Sequence, residues 1–259
     1  MTQATAVHIG TSGWHYRHWI GPFYPPGTRP EGFLDHYARH FGTVEINNTF
    51  YRLPSRHAVT QWRDGSPPGF VFAAKGSRFI THMKKLKDPK TSIQRYFELI
   101  GLLGDKLGPI VFQLPPRWHL NLDRLAAFLE ALPKAWRYAF EFRDESWLTP
   151  GTYRLLAAHN AALCLYDLAG RQAPLEVTAD LTYLRLHGPG GAYQGSYSDE
   201  ALRHWATRIR RWRASGISVY CYFDNDQHGY APANALTLAR FVEPGRVACG
   251  PARTAASGR

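Results

Sequence analysis

Residues 135–147 read AWRYAFEFRDESW, a segment in which aromatic side chains alternate with small or charged ones. Because successive side chains of a β-strand point to opposite faces, this alternation predicts a strand with two different faces. The aromatic face, suited to packing beneath helices, consists of Tyr138, Phe140 and Phe142. The other face carries Glu141 and Arg143, and such ions are costly to bury unless they pair or line a polar pocket.

The same alternation recurs along the chain, and helical patterns separate most of the recurrences. Besides the opening segment, strands are predicted over residues 7–13, 43–47, 70–75, 109–114, 162–167, 182–187 and 218–224. Strands that alternate with helices form parallel βαβ units, and eight of them in a chain of this length are typical of a (β/α)8 TIM barrel. Residues 168–181 show no clear helix, so we expect one irregular βα unit there. A doubly wound open sheet is the alternative, although no Gly-rich dinucleotide fingerprint supports it.

The 259 residues fit a single barrel domain over residues 7–242, with a disordered N-terminus over 1–6 and a mostly disordered tail over 243–259. The cysteines have neither disulfide nor zinc spacing, and Cys164 and Cys221 fall in predicted strands, where buried inert thiols are expected. No signal peptide or membrane-length apolar run is visible. We therefore expect a reduced, cytoplasmic protein with no membrane partner.

The formal charge is +11 and the isoelectric point is about 9.7. Such a basic balance favours acidic partners, which include nucleic acid, phosphorylated metabolites and anionic surfaces. A generally arginine-rich proteome would give the same balance without any functional message. Charge alone therefore leaves the partner open.

Polar side chains of inward parity lie near the carboxyl ends of the second to eighth strands. They are Glu45, Asn47, Lys75, Gln113, Glu141, Arg143, Asp167, Arg185, His187 and Asp224. In a barrel these ends meet at one mouth, where barrel enzymes hold their catalytic groups. Carboxylates, cations and an imidazole together shift pKa values and supply acids, bases and anion clamps. The competing interpretation is a buried ion-pair network that only closes the barrel.

Aromatic residues follow several of the same strands and can stack on a sugar or a base. This predicted aromatic rim consists of Trp14, Tyr16, Trp19, Tyr51, Trp147, Tyr193, Tyr197 and Tyr222. For each of them, plain packing is the alternative.

Seven ordered phrases carry a family resemblance: GTSGWHYRHWIGPFYP, TVEINNTFYRLP, FVFAAKGSRFITHMKKL, GPIVFQLPP, YAFEFRDESW, YLRLHGP and YCYFDNDQHGYAPANAL. Together they resemble the domain of unknown function 72 (YecE-like) family over roughly residues 7–242. The resemblance implies a TIM barrel but no established reaction. It also implies motif positions at Gly13, Trp14, Glu45, Asn47, Tyr51, Lys75, Thr81, His82, Gln113, Glu141, Arg143, Trp147, Arg185, His187, Asn225 and Asp226. Where the family usually shows two asparagines after the Tyr-Phe of the last strand, this chain has Asp224 and then Asn225, so an amide role does not transfer to Asp224.

The first functional hypothesis is an enzyme that applies acid–base chemistry to a small anionic ligand carrying a sugar or a phosphate, by hydrolysis, elimination or isomerisation. The expected catalytic residues are Glu45, Glu141, Asp167 and His187. The expected substrate-binding residues are Trp14, Tyr16, Asn47, Tyr51, Lys75, Gln113, Arg143, Trp147, Arg185, Tyr222 and Asn225. Among the latter, Lys75, Arg143 and Arg185 are expected to clamp the anion.

No cofactor is evident, and a divalent metal is an alternative. Carboxylates and an imidazole end the last four strands, a set of the kind that metal-dependent isomerases and barrel endonucleases use: Glu141, Asp167, His187 and Asp224. The arginines on the same face argue against metal, because they can neutralise the carboxylates themselves.

Two further alternatives are a nucleic-acid-binding protein and a non-catalytic ligand-binding barrel. The loop over residues 78–90 is strongly basic, and residues 203–213 read RHWATRIRRWR. Patches of this kind bind phosphates in a salt-dependent manner. A solvated helix face is the simpler interpretation of the second segment.

Overall fold

The predicted strands pair in parallel into a nearly closed barrel in the computed structural model, which describes residues 5–244. The strands, in chain order, are β1 (Val7–Thr11), β2 (Thr43–Ile46), β3 (Val71–Lys75), β4 (Leu107–Gln113), β5 (Tyr138–Glu141), β6 (Ala162–Leu168), β7 (Arg171–Gln172), β8 (Leu181–Leu186) and β9 (Ser218–Phe223). All pair in parallel except β7, which pairs antiparallel with the end of β6 and lies outside the barrel. The predicted TIM-barrel fold is confirmed.

Helices follow most of the barrel strands and cover the barrel's outer face. Within residues 5–244 they are α1 (Phe33–Ala38), α2 (Arg56–Asp64), α3 (Pro89–Ile100), α4 (Leu122–Ala131), α5 (Pro150–Ala158), α6 (Asp199–Ala214) and α7 (Tyr230–Val242). After β6 the chain makes the short strand β7 instead of a helix, as the irregular pattern of residues 168–181 predicted.

Side-chain capping starts four of these helices. Ser55, Asn121, Thr149 and Ser198 each accept a hydrogen bond from the backbone N–H three residues later, which satisfies a donor that the first turn leaves free. Asp88 directly precedes Pro89, the first residue of α3, but makes no such cap. Its backbone is left-handed, with φ of 47°.

The two faces of the strands follow the predicted parity. Outward side chains such as Phe140 and Phe142 belong to the apolar core beneath the helices. Inward side chains form a smaller apolar layer inside the barrel, which includes Ala73, Val111, Ala139, Cys164, Tyr183, Tyr220 and Tyr222. This layer fills the barrel below its carboxyl-terminal mouth and leaves the polar residues above it.

The barrel closes at a narrow seam between β1 and β2. Ser12 and Glu45 form a parallel bridge there, and the backbone N–H of Gly13 donates to the carbonyl of Glu45 at 2.8 Å. Gly10 lets the two strands approach, since a Cβ at this position would lie 2.4 Å from the carbonyl oxygen of Thr43. The seam therefore depends on the absence of a side chain at residue 10.

None of the helices between residues 5 and 244 is long and apolar enough to cross a membrane. Cys164 and Cys221 are buried free thiols, as predicted. The disorder predicted for the two ends concerns residues that lie largely outside the described range.

Replacing Gly10 with alanine is expected to lower the free energy of unfolding by about 1–3 kcal/mol, because the new methyl group overlaps backbone that cannot move aside. Urea unfolding measures this change. The matched control is Gly42→Ala just before β2, where a Cβ meets nothing within 4 Å. Equal unfolding midpoints for the two variants would contradict the seam model.

Candidate functional site

A fully buried guanidinium, that of Arg185 on β8, lies at the centre of the polar residues. Its Nε donates to Oε2 of Glu45 at 3.0 Å, and its Nη1 donates to Oε2 of Glu141 at 2.9 Å. Its Nη2 donates to Oε1 of Glu45 at 2.8 Å and to Oδ2 of Asp224 at 3.0 Å. All three nitrogens are thus engaged by carboxylates of the protein. These contacts leave Arg185 little capacity to clamp a ligand anion, the role that the sequence predicted for it.

Two hydroxyl groups complete the environment of Glu45. The Tyr183 hydroxyl donates to Oε2 at 2.7 Å, and the Ser12 hydroxyl donates to Oε1. Neither residue was among the predicted site residues. Both lie at inward parity, and this was the only sequence signal that pointed to them. With donors on both oxygens, Glu45 is a structural partner of Arg185.

A second arginine and a histidine extend the cluster toward the mouth. Arg143 pairs through Nη2 with Oε1 of Glu141 and lies 3.0 Å from Nε2 of the buried His187. Because a guanidinium can only donate, this contact makes Nε2 the acceptor and puts the ring proton on Nδ1. Nδ1 lies 3.1 Å from Oδ2 of Asp224. The imidazole is therefore held between an arginine and a carboxylate.

The charges of the cluster favour the ionised forms of Glu141 and Asp224. Burial opposes ionisation of Glu141, but the charges of Arg143 and Arg185 outweigh it and hold the pKa of Glu141 well below its ordinary value. Burial likewise opposes ionisation of Asp224, and Arg185 and His187 lower its pKa. Groups with lowered pKa values accept protons poorly near neutral pH. The expectation that Glu141 serves as general base or acid therefore loses its physical support.

Lys75, at the end of β3, is the exception in this paired cluster. Its side chain is buried, yet within the described part of the chain its amine makes no hydrogen bond and no ion pair. The amine lies over the ring of Phe50, with Nζ 4.4 Å from the ring centroid. Burial, and then the charge of Arg185, lower the pKa of Lys75 to about 8, against opposing effects of the carboxylates. Both protonation states of this amine are thus populated near neutral pH.

Other predicted binding residues also hold polar atoms without partners. Among the described residues, Nε of Arg143 and Oδ1 of Asn47 and Asn225 are buried and lack hydrogen bonds. The amide nitrogen of Asn225 is used, since it donates to Oδ1 of Asn234 at 2.9 Å. Gln113 is half-buried at the end of β4, in register with Glu141. The mouth therefore offers both donors and acceptors that the protein does not satisfy.

Asp167 is not part of the cluster, contrary to prediction. It shares a face of β6 with Leu163 and Leu165, and these pack outward beneath the helices. Its carboxylate accepts a hydrogen bond from Gln172 of β7 at 3.3 Å, and burial raises its pKa. The alternation along β6 already placed it with the apolar residues, so assigning it to the inward face was wrong.

The proposed metal set does not assemble either. Without Asp167 it loses one of its four members, and the oxygens of Glu141 and Asp224 are bound by guanidinium groups. No group of three or more His, Cys, Asp or Glu residues within residues 5–244 is arranged to hold a metal ion.

Most of the predicted aromatic rim packs inside the protein. Trp14 lies edge-on to Trp62 at 5.5 Å, Trp147 stacks on Phe142 at 5.1 Å, and the hydroxyl of Tyr222 lies 2.8 Å from Thr43 deep in the barrel. Trp19 and Tyr197 are buried as well. Large aromatic side chains gain most by leaving water completely, which explains these positions.

Tyr16, Tyr51 and Tyr193 are the rim residues that are not buried. Tyr193 is 45% exposed and lies edge-on to His187, with 5.3 Å between ring centroids. Tyr51 is 67% exposed. The Tyr16 hydroxyl donates to the carbonyl of Ser12 at 2.8 Å. The tyrosine beside His187 is the one best placed to contact a ligand.

The two basic segments differ in structure. In the loop over residues 78–90, Lys85, Lys87 and Lys90 are exposed, and Phe79–Met83 forms one turn of π-helix. On α6 the arginines contact the end of α7: Arg203 lies 4.0 Å from the centroid of Phe241, and Arg213 pairs with Glu243. The second segment therefore has a packing role.

A cavity of about 260 Å³ lies at the opposite, amino-terminal end of the barrel. Its lining includes Leu132, Trp136, Tyr138, His159 and Asp180. No residue of the polar cluster touches it. Several of its polar groups are paired with one another, since Arg137 binds Asp180 and the Asn160 side chain accepts from the Asp180 backbone N–H. We therefore base the site on the unsatisfied polar groups of the mouth.

Replacing Arg185 with methionine is expected to lower the free energy of unfolding at pH 7 by roughly 3–5 kcal/mol, because it leaves buried carboxylates without their cation. In the unchanged protein, the lowered pKa values of Glu141 and Asp224 stabilise the fold above their ordinary values of 4.5 and 3.8, and this stabilisation is lost as the pH falls below them. The variant should lose less stability on acidification.

Urea unfolding at pH 7 and pH 4 tests this expectation. The matched control is Arg171→Met, which removes an ion pair with Glu145 whose side chains are 70% and 80% exposed. The control should change neither stability nor its pH dependence measurably. An Arg185 variant that behaves like this control would contradict the central role of the guanidinium.

Comparisons with known proteins agree with the fold. UPF0759 protein YunF of Bacillus subtilis is 23% identical over an alignment of 274 positions, gaps included, that covers 92% of this chain and 95% of the relative. UPF0759 protein YecE of Escherichia coli is 29% identical over 146 residues, which cover 56% of this chain and 51% of the relative.

Solved structures extend the similarity. A DUF72 family protein from Thermotoga maritima is 28% identical with a TM-score of 0.82, and the match covers 92% of this chain and 99% of that one. A second, from Enterococcus faecalis, is 18% identical with a TM-score of 0.75 over 91% and 95% of the two chains, and shows the fold alone. The family model described as protein of unknown function DUF72 matches residues 8–256. The chain therefore belongs to the DUF72 family, as its seven motifs indicated.

Proposed function

We propose that the mouth of the barrel is an enzyme site that transfers protons on a small anionic ligand. The observation that carries this proposal is Lys75, a residue that is only 5% exposed and whose amine makes no hydrogen bond or ion pair among the described residues. An unpaired buried cation destabilises a fold, so its presence needs a compensating role. Proton transfer supplies one, because an amine whose pKa is about 8 both accepts and releases protons near neutral pH.

The unsatisfied atoms of the mouth define the ligand class. Lys75 Nζ, for which residues 5–244 provide no hydrogen bond or ion pair, and the buried Arg143 Nε are donors without acceptors, which favours a phosphate or a carboxylate as partner. Asn47 and Asn225 hold acceptors without donors, which favours ligand hydroxyl groups. A ligand that combines the two features, such as a sugar phosphate or a hydroxy acid, fits this set best.

The remaining residues of the cluster take supporting roles in this proposal. The carboxylates of Glu45, Glu141 and Asp224 hold Arg185 and Arg143 in place and do not themselves move protons. His187 links two parts of this network, because its ring contacts both Arg143 and Asp224. The proposal thus moves the acid–base role from the glutamates to the lysine.

A thermal-shift experiment at low salt tests the ligand class. Sugar phosphates or hydroxy acids are expected to raise the melting temperature of the unchanged protein, and Lys75→Met should lose at least most of this shift. Lys90→Met, which removes an exposed lysine of the basic loop, should retain it. Stabilisation by oligonucleotides alone, or an equal shift in both variants, would count against the proposal.

The pH dependence of stability tests the state of the lysine. The pKa of Lys75 falls from 10.5 to about 8 on folding, so the folded chain gives up this proton first, and stability rises with pH between these two values. The shift corresponds to roughly 3 kcal/mol at pH 7. Lys75→Met should therefore be more stable than the unchanged protein at pH 7, by up to about this amount, and the difference should shrink by pH 10.

Urea unfolding of the two proteins at pH 7 and pH 10 measures this difference. Lys90→Met again provides the control and should follow the unchanged protein. A stability difference that is the same at both pH values would show that Lys75 does not titrate abnormally.

A further inference from the structure

We propose that the amine of Lys75 is also a nucleophile, which attacks the carbonyl carbon of the ligand and forms an imine with it. The substrate class is then an aldehyde or ketone that also carries the anionic and hydroxyl groups inferred above. This inference rests on the proposed function, because it uses the same site and the same ligand. It adds a covalent intermediate that proton transfer alone does not require.

The position of Lys75 suits a nucleophile because its backbone is fixed. Its carbonyl accepts hydrogen bonds from the hydroxyl of Thr49 at 2.6 Å and from the hydroxyl of Tyr96 at 3.2 Å. The side chain starts from the last residue of β3, which pairs in register with Val111 of β4. The amine can therefore be held in one place while a ligand approaches.

The immediate surroundings of the amine leave it available. An ion pair or a hydrogen bond to a carbonyl oxygen would hold the nitrogen in its protonated, unreactive form. In the described chain, Lys75 has neither, and its contact is the face of the Phe50 ring. Arg185 contributes a positive charge nearby, which favours the neutral amine. A desolvated lysine beside another cation is the arrangement that activates amine nucleophiles.

The other lysines of the chain lack this environment. Lys106 donates to the carbonyl of Ser66 at 2.6 Å, and Lys84 pairs with Asp88 at 3.3 Å. The exposed lysines are Lys85, Lys87, Lys90 and Lys134. With its pKa at about 8, roughly half of Lys75 is neutral at pH 8, against well under one per cent of an ordinary lysine. Reaction at one lysine among many is therefore expected.

The Lys75 ammonium first releases a proton to solvent, and the nitrogen lone pair then forms a bond with the carbonyl carbon while the π pair moves to oxygen. One proton passes from nitrogen to that oxygen and gives the carbinolamine. The oxygen takes up a second proton and leaves as water, and the nitrogen lone pair completes the C=N bond of the iminium. The sum is ammonium plus carbonyl giving iminium plus water, with no oxidant or reductant.

Reductive trapping tests the proposal. The full-length protein is incubated at pH 7.5 with dihydroxyacetone phosphate, pyruvate or uncharged dihydroxyacetone, each with sodium cyanoborohydride, and analysed by intact mass and peptide mapping. We expect a single adduct on the peptide that contains Lys75, heavier by the mass of an anionic probe less one oxygen atom. Dihydroxyacetone should react more slowly, because it lacks the anion.

Variants separate a specific imine from general lysine chemistry. Lys75→Arg keeps a cation in the site but has no nucleophilic amine, so it should lose the adduct, and Lys75→Met should do the same. Lys90→Arg should keep the adduct in full. The melting temperature of each variant shows that the loss of adduct is not a loss of folding.

The outcomes distinguish the two proposals. Adducts spread over the exposed lysines, or none on Lys75, would overturn the imine proposal. If anionic ligands still raised the melting temperature through Lys75 in that case, the proton-transfer function would stand. If neither trapping nor thermal stabilisation depended on Lys75, both proposals would fail.

Discussion

The arrangement around Arg185 is the constraint on which the rest of the mouth depends. A buried guanidinium is tolerable only when carboxylates neutralise it with good geometry. Here the carboxylates come from β2, β5 and the segment that follows β9, so the cation draws three parts of the barrel together around β8. Removing any one carboxylate would leave charge unbalanced in a place that water does not reach. The strands therefore share one electrostatic requirement in addition to their packing.

This requirement separates the roles of the charged residues. Glu45, Glu141 and Asp224 each accept a hydrogen bond from Arg185, and this fixes their orientation. Lys75 is buried beside the same group but is left out of the pairing. A rigid cluster of paired charges with one unpaired amine beside it can hold a reactive group in a defined place. The pairs neutralise the buried charges, and the proposed reactivity lies in the one amine that is left out of the pairing.

Much of the fold could be predicted from period-two alternation, because the two faces of each strand have different surroundings. Outward side chains pack beneath the helices, and inward ones lie inside the barrel. Glu141 and Arg143 could be assigned to the inside of the barrel since their neighbours in sequence were aromatic. The same rule placed Asp167 with Leu163 and Leu165, and the mistake was to follow its charge and not its parity. The strand ends that carry polar residues could therefore be predicted from the sequence. The direction of each side chain could be predicted only when it was assigned from its place in the alternation and not from its charge.

The details of the site were beyond such reasoning. Whether Arg185 faces a ligand or three carboxylates depends on which strands become neighbours and at what height, and the sequence pattern does not specify either. Trp14 and Trp147 follow strands in the sequence, which is also where residues that stack on a ligand would lie. In the structure they pack against Trp62 and Phe142 beneath the helices. Aromatic residues at a loop entrance fit packing and binding equally well until the tertiary structure is known.

The closing seam also has a consequence for how the protein is made. Glu45 precedes Arg185 by 140 residues, and Asp224 follows it by 39. The first strand pairs with the last one, so the ring stays incomplete until β9 has left the ribosome. A nascent chain that ends before β9 lacks one partner of the guanidinium, because Asp224 follows that strand. The surroundings that are proposed to activate Lys75 are thus complete only after β9 has been added.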